Sequence, residues 1–293
     1  MTARSRAGLL FALPAVAAVA LFFLFPAIAG LALSATDFDI YALASLARLR
    51  FVGLGNYLAL LADPLFLRAF ANTLIFVGLG IPMVIAASLS AAMLLHSRTI
   101  RWAPLWRVAL FAPYATTVVA TAVVWRYLLD ARFGLLNRAL GLVGIAPVDW
   151  LGNPATSIPA VLLFYTWRVF GYYMILFSAA LAAVPPDLLD AARLDGAGPL
   201  DRLRHVVLPA IGPTFVMVAM LSATALFQLF DEPYVMTMGG PGGRTVTMLY
   251  FMIGQGFEWW NLGYASAVAT VLFLCILAVA ALQWRAGRRR EWL

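Results

Sequence analysis

Long apolar runs separated by short polar breaks dominate the chain. A helix needs about 20 predominantly apolar residues to cross the hydrocarbon core of a bilayer. Six runs meet that length: Gly8–Leu33, Phe70–Leu95, Leu105–Leu128, Ile158–Ala183, Ile211–Val235 and Leu262–Gln283. Their apolar residues are continuous rather than alternating, which predicts helices and not strands. The pattern therefore predicts an all-α, polytopic integral membrane protein with six transmembrane helices. The first run also begins like a signal peptide, with Arg4 and Arg6 ahead of it. It is much longer than a signal core of about 7–15 residues, so it is expected to remain as an uncleaved first span.

Composition removes the soluble alternative. The 293 residues are 64% hydrophobic and 11% charged, with mean hydropathy +0.92. Soluble domains are about half apolar and a quarter charged, and no compact core could hide this excess from water. All 20 basic residues are arginine, and the net charge is +7. A charge of that sign could suit nucleic acid, but the arginines sit at the ends of apolar runs, where positive charge sets topology. Cys275 is the single cysteine, so an internal disulfide and a Cys-rich metal site are both excluded. His96 and His205 are isolated and form no metal site.

Arginine placement predicts orientation. With the N-terminus inside, the cytoplasmic segments carry Arg4, Arg6, Arg98, Arg101, Arg107, Arg193, Arg202, Arg204, Arg285, Arg288, Arg289 and Arg290. The outside segments carry Arg48, Arg50, Arg68, Arg126, Arg132, Arg138 and Arg244. Twelve against seven places both termini in the cytoplasm. Trp102, Trp106, Trp125, Tyr127, Trp259, Trp260 and Trp284 fall at the run ends, as an interfacial aromatic belt requires. The stretch Gly239-Gly240-Pro241-Gly242-Gly243 has no following Lys-Ser/Thr and no flanking strand, so it predicts a tight turn and not a nucleotide loop.

The break between the fourth and fifth runs, VPPDLLDAARLDGAGPLDRLRHVVLPAIGP over 184–213, is longer than a connector needs. Pro185 and Pro186 end one helix and open another. Asp187 and Asp190 suit its N-terminal half, where the helix dipole is positive. Leu188, Ala191 and Ala192 share a face. Gly196 is placed to stop this helix in a left-handed cap. Gly198-Pro199 opens a second short helix through Leu200, Leu203 and Val207, and Leu208-Pro209 turns the chain into the fifth run. Such a helix–Gly–helix unit suits docking against another protein. It equally suits an amphipathic hairpin on lipid headgroups, and physics alone leaves both open.

The same segment resembles the signature loop of binding-protein-dependent ABC importer permeases. That pattern is Glu-Ala-Ala, three residues, Gly, nine residues, then Ile-x-Leu-Pro. Here Asp190-Ala191-Ala192 precedes Gly196 by three residues, and nine more lead to Val206-Val207-Leu208-Pro209. Asp190 stands for the usual Glu and Val206 for the usual Ile. Further stretches are similar to the carbohydrate, or maltose/glycerol-phosphate, type of permease: Phe51 to Tyr57, Asn72-Thr73, Asp195-Gly196-Ala197, Phe230-Asp231-Glu232-Pro233-Tyr234 and Gly263 to Ala267.

The resemblance implies one permease domain over 1–293, with core 70–284, first helix 8–33 and extracytoplasmic loop 34–69. It implies an inner-membrane, sugar-importing subunit without enzymatic activity of its own. The expected partners are a second homologous permease, an ATPase dimer that holds ATP and Mg, and an extracytoplasmic solute-binding protein. Asp190, Ala191, Ala192, Asp195, Gly196, Ala197, Leu208 and Pro209 would form the ATPase-coupling loop. The same fold could instead serve glycerol phosphate or another small polar solute.

Two other classes fit less well. An ion-coupled transporter needs ionisable residues near the midplane, and a membrane enzyme needs a catalytic constellation. The chain offers neither a carboxylate relay nor a paired histidine. One charge falls within a run: Arg168, roughly 15 Å deep by helix rise. At that depth a charge costs at least ~2.5–3.5 kcal/mol, so it should face the bundle. It is a candidate for the substrate pathway with Trp167, Tyr172, Tyr173, Gln228, Asp231 and Glu232. Asp231 and Glu232 are expected near the outer end of the fifth run. That depth mismatch argues against a direct pair with Arg168 unless a helix is kinked or tilted.

Overall fold

A computed structural model describes residues 3–44, 49–96 and 100–289. Arg48, Arg98 and Arg290 of the arginine count lie outside the described residues. Among the described residues the chain is helical, with one isolated bridge between Thr36 and Phe51. Four helices are long and apolar enough to cross a membrane: Phe11–Leu33, Pro64–His96, Ser157–Ala182 and Leu262–Arg289. Two bent pairs raise the number to six if each pair is one span: Ala103–Ala115 with Val118–Leu128, and Pro199–Ala210 with Gly212–Phe227.

A bend within the third run and a break near the end of the fifth correct the expectation of unbroken spans. The turn into the fifth run falls where Leu208-Pro209 predicts it. The third run bends by 98° around Thr116 and Thr117, both in extended conformation. Pro113 brings no amide hydrogen to the helix, and the Thr116 hydroxyl donates back to the Pro113 carbonyl at 2.6 Å. Both features compete with the regular helical ladder. The fifth run bends by 74° at Ile211 where it begins, next to Pro209 and Pro213. It breaks again after Phe227, and a separate helix resumes at Asp231–Thr237. A continuous helix would need the amide of residue 233 to bond the Leu229 carbonyl, and residue 233 is proline. The buried Thr247 hydroxyl takes that carbonyl instead, at 2.6 Å.

The chain divides into two compact units. One comprises Met1–Leu67 and Phe251–Phe273. Its first span is apolar all round and exposed, Phe11 by 89%, as suits a helix with lipid or a partner for solvent. Ser34 Oγ and Tyr57 Oη lie 2.6 Å apart, and Asn56 Nδ2 donates to the Ser34 and Thr36 carbonyls at 2.9 and 2.8 Å. The Phe51–Tyr57 stretch thereby ties back to the end of the first span. Gly263 N donates to the Phe38 carbonyl at 2.7 Å, and a Cβ at Gly263 would collide with the Thr36 carbonyl. Beside it, the Tyr264 hydroxyl donates to Asp63 at 3.0 Å.

The second unit comprises Arg68–Tyr250 and Leu274–Leu293. Ser157–Ala182 is its central helix, with Phe164, Met174 and Phe177 fully buried. Ala103–Ala115, Gly212–Phe227 and Asp231–Thr237 all pack on it. Gly171 lets Ala103–Ala115 approach so closely that a Cβ there would meet the Leu110 carbonyl. Asn72 Nδ2 donates to the Gly243 and Val246 carbonyls, each at 2.9 Å, and Thr73 Oγ1 accepts from Met248 N at 2.9 Å. The predicted glycine turn is present, with Gly239, Gly242 and Gly243 at positive φ.

Candidate functional site

Two features concentrate chemistry in the second unit. The first is the polar segment after Ser157–Ala182. Pro186 opens a helix over Pro186–Leu194. Gly196 follows at φ +78°, with its amide bonded to the Arg193 carbonyl and the Ala197 amide bonded to the Ala192 carbonyl. This is the left-handed glycine cap that the spacing predicts. Pro199 then opens Pro199–Arg202, and helical turns continue to Ala210 through Leu208 and Pro209.

Apolar side chains of this segment project away from the unit. Leu194 is 90% exposed, Leu200 74% and Leu188 51%. Ala191, Asp195 and Gly196 are exposed, while Ala192 and Ala197 are half-buried. Asp190 bonds Arg193 at 2.6 Å on the same exposed helix. Sequence spacing had not indicated that local pair, although it is the ordinary i, i+3 contact of a helix surface.

The second feature is a cleft of ≈ 430 Å³. It gathers Arg168, Tyr173, Gln228, Asp231 and Glu232, five of the seven residues singled out for a pathway. Trp167 is not among its lining; it packs on Trp125 and Phe164. Tyr172 is also outside the lining, stacked behind Tyr114 with ring centroids 4.7 Å apart. Tyr114 and Tyr165 line the cleft and were not anticipated. Tyr165 carried a legible signal, because it lies three residues before Arg168 and so on the same helical face. Tyr114 carried none, since the bend after it brings its ring here.

At the centre of the cleft Arg168 Nη2 donates to Glu232 Oε1 at 3.0 Å. The side chains are only 15% and 5% exposed. Depth argued against this pair unless a helix is kinked, and the structure supplies that kink. At the break over Gln228–Phe230 the chain leaves the helical path after Phe227, and Asp231–Thr237 packs directly on Ser157–Ala182. Arg168 also lies 6.0 Å from the Tyr165 ring centroid. Its Nε and the Tyr165 hydroxyl are buried with no hydrogen-bond partner among the described residues. The cleft therefore offers guanidinium donors from Arg168, carboxylate acceptors on Glu232 and Asp231, and the aromatic groups Tyr114, Tyr165 and Tyr173. Such a mix suits a polar solute that both donates and accepts.

Comparison with known proteins places this architecture. The chain is 31% identical to the lactose transport system permease protein LacF of Rhizobium radiobacter, over 97% of this chain and 95% of that one. It is 33% identical to the sn-glycerol-3-phosphate transport system permease protein UgpA of Yersinia pestis, covering 96% and 94%. Its fold matches a subunit of the bacterial alginate ABC transporter, crystallised with an alginate pentasaccharide-bound periplasmic protein. There the TM-score is 0.80 at 20% identity, covering 97% and 96% of the two chains. Residues 52–291 match the family model for the binding-protein-dependent transport system inner membrane component. With the helical spans, the capped polar segment and the full-length relatives in agreement, the chain belongs to that family of inner-membrane transport components.

Proposed function

We propose that this chain forms part of the translocation pathway for a sugar in an ATP-driven importer, without catalysing a reaction itself. The observation that carries the reading is the exposed Pro186–Leu194 helix, its Gly196 cap and the helical turns after Pro199. Leucines exposed by up to 90% flank the cap without a covering group. An apolar, capped helix pair fits a cleft on another protein by the helix-in-groove mode. The partner is an ATPase dimer, which holds the ATP and Mg. Asp190, Ala191, Ala192, Asp195, Gly196, Ala197, Leu208 and Pro209 form the contact. A second homologous permease completes the membrane part. A solute-binding protein delivers the cargo, in keeping with the binding-protein dependence in the family's description.

The chain would cross the bacterial inner membrane six times, each bent pair counting as one span, with both termini cytoplasmic. ATP binding closes the ATPases and draws the capped segments together. The helical bundles then rock around the cleft at Arg168 and expose it alternately to the two sides. Sugar cargo is supported by the lactose relative, whose chain this one covers almost end to end. The glycerol-phosphate relative favours a second cargo class on equal similarity.

Leu194→Asp tests the docking role. The substitution puts a charge on an exposed tip, so the membrane fold is expected to persist while the ATPase no longer co-purifies. An ATPase retained at wild-type yield would refute the role.

A further inference from the structure

Arg168, buried in a solute-sized cleft, would by itself make an anion site. A guanidinium presents a planar set of donors that matches phosphate and carboxylate. Here it does not stand alone. Glu232 accepts from it at 3.0 Å and is nearly fully buried. Asp231 adds a second carboxylate at the exposed side of the same cleft. Among the lining residues the acidic charge thus exceeds the basic charge by one, Arg168 against Asp231 and Glu232.

The hydrogen-bonding capacity points the same way. An anion needs donors only. A sugar hydroxyl both donates and accepts. Beyond its bond to Glu232 the Arg168 guanidinium keeps further N–H donors, and the Glu232 carboxylate keeps lone pairs beyond the one bond to Arg168. Tyr114 and Tyr173 add aromatic surface to the lining. An anion entering would meet two carboxylates and a guanidinium already neutralised, and would have to shed its water for an environment that does not repay it.

We propose that Glu232 sets the charge of the cargo: by neutralising Arg168 it makes the cleft a site for an uncharged, polyhydroxylated solute and shuts out sugar phosphates and other anions. This deepens the proposed function and rests on the cleft lying in the solute pathway. It also separates the two cargo classes that the relatives leave level.

The test is calorimetric titration of glucose 6-phosphate into the purified importer complex containing this chain. Wild type is expected to show no saturable binding that depends on Arg168. Glu232→Gln keeps the shape and removes the counter-charge. It should create a site that binds the phosphate at least about tenfold more tightly than wild type, the scale of one charge-assisted contact. Arg168→Gln/Glu232→Gln should abolish that gain. An assembled Glu232→Gln complex that gains nothing overturns the inference. If Glu232→Gln does not assemble, wild type decides: no Arg168-dependent binding supports the inference, and saturable binding lost in Arg168→Gln overturns it. The pathway reading fails separately. Normal cargo uptake by an assembled Arg168→Leu complex would remove the cleft from the pathway, whatever the titrations show.

Discussion

The Thr247 hydroxyl donates to the Leu229 carbonyl at 2.6 Å, and both residues are buried. Thr247 Oγ1 also accepts from the Tyr250 amide at 3.2 Å. One side chain thus closes the helix break that Pro233 opens, and the break is what turns Glu232 towards Arg168. In a membrane the freed carbonyl has no water to turn to, so its satisfaction by a neighbour is what makes the break tolerable.

Thr247→Val tests this directly. Valine matches the shape but leaves the Leu229 carbonyl without its donor, at a cost of about 1–3 kcal/mol. The thermal midpoint of the purified complex is expected to fall, while Thr247→Ser should hold it near wild type. A valine variant as heat-stable as wild type would show that the carbonyl is satisfied in some other way.

At Gly196 the issue is backbone conformation and not space. Its φ is +78°, and an added Cβ would meet nothing within 4 Å. A side chain there costs roughly 1–2 kcal/mol in the left-handed region. Gly196→Val is therefore expected to redirect the turns after Pro199, so that ATP hydrolysis continues while uptake falls. Gly196→Asn tolerates the conformation and should retain most uptake. The check is uptake and hydrolysis measured side by side in proteoliposomes; coupled transport by the valine variant would contradict the account.

Orientation is tested by labelling with a membrane-impermeant maleimide in intact cells, after Cys275→Ser. Cysteine at Leu54, which is 71% exposed, or at Gly242 should react from outside. Cysteine at Leu194 should react only once the membrane is opened. Reaction at Leu194 in intact cells would invert the topology drawn from the arginines.

What the chain determined by itself is local. Apolar runs marked the long helices because hydrophobic length is read residue by residue. Pro186, Gly196 and Pro199 marked the starts and stop of the polar segment because caps depend on residues within one turn. The motif stretches were legible as resemblance, and their physical roles were not. Asn56 bonds carbonyls 20 and 22 residues away, and Asn72 reaches carbonyls 171 and 174 residues away.

Tertiary structure alone decided the cleft. Over Ile211–Val235 the sequence marks a weak point with Gln228, Asp231, Glu232 and Pro233, but not where the chain goes after Phe227. Whether a proline breaks a span depends on who receives the freed carbonyl, and Thr247 lies 18 residues further on. The Arg168–Glu232 pair joins positions 64 residues apart and forms only because that break changes the depth and direction of the acidic helix. Tyr114 reaches the cleft through the bend at Thr116 and Thr117. A periodic pattern reports which residues share a face of one straight helix. It carries no term for where a bent helix sends that face, so the spans could be read along the chain and the site inside them could not.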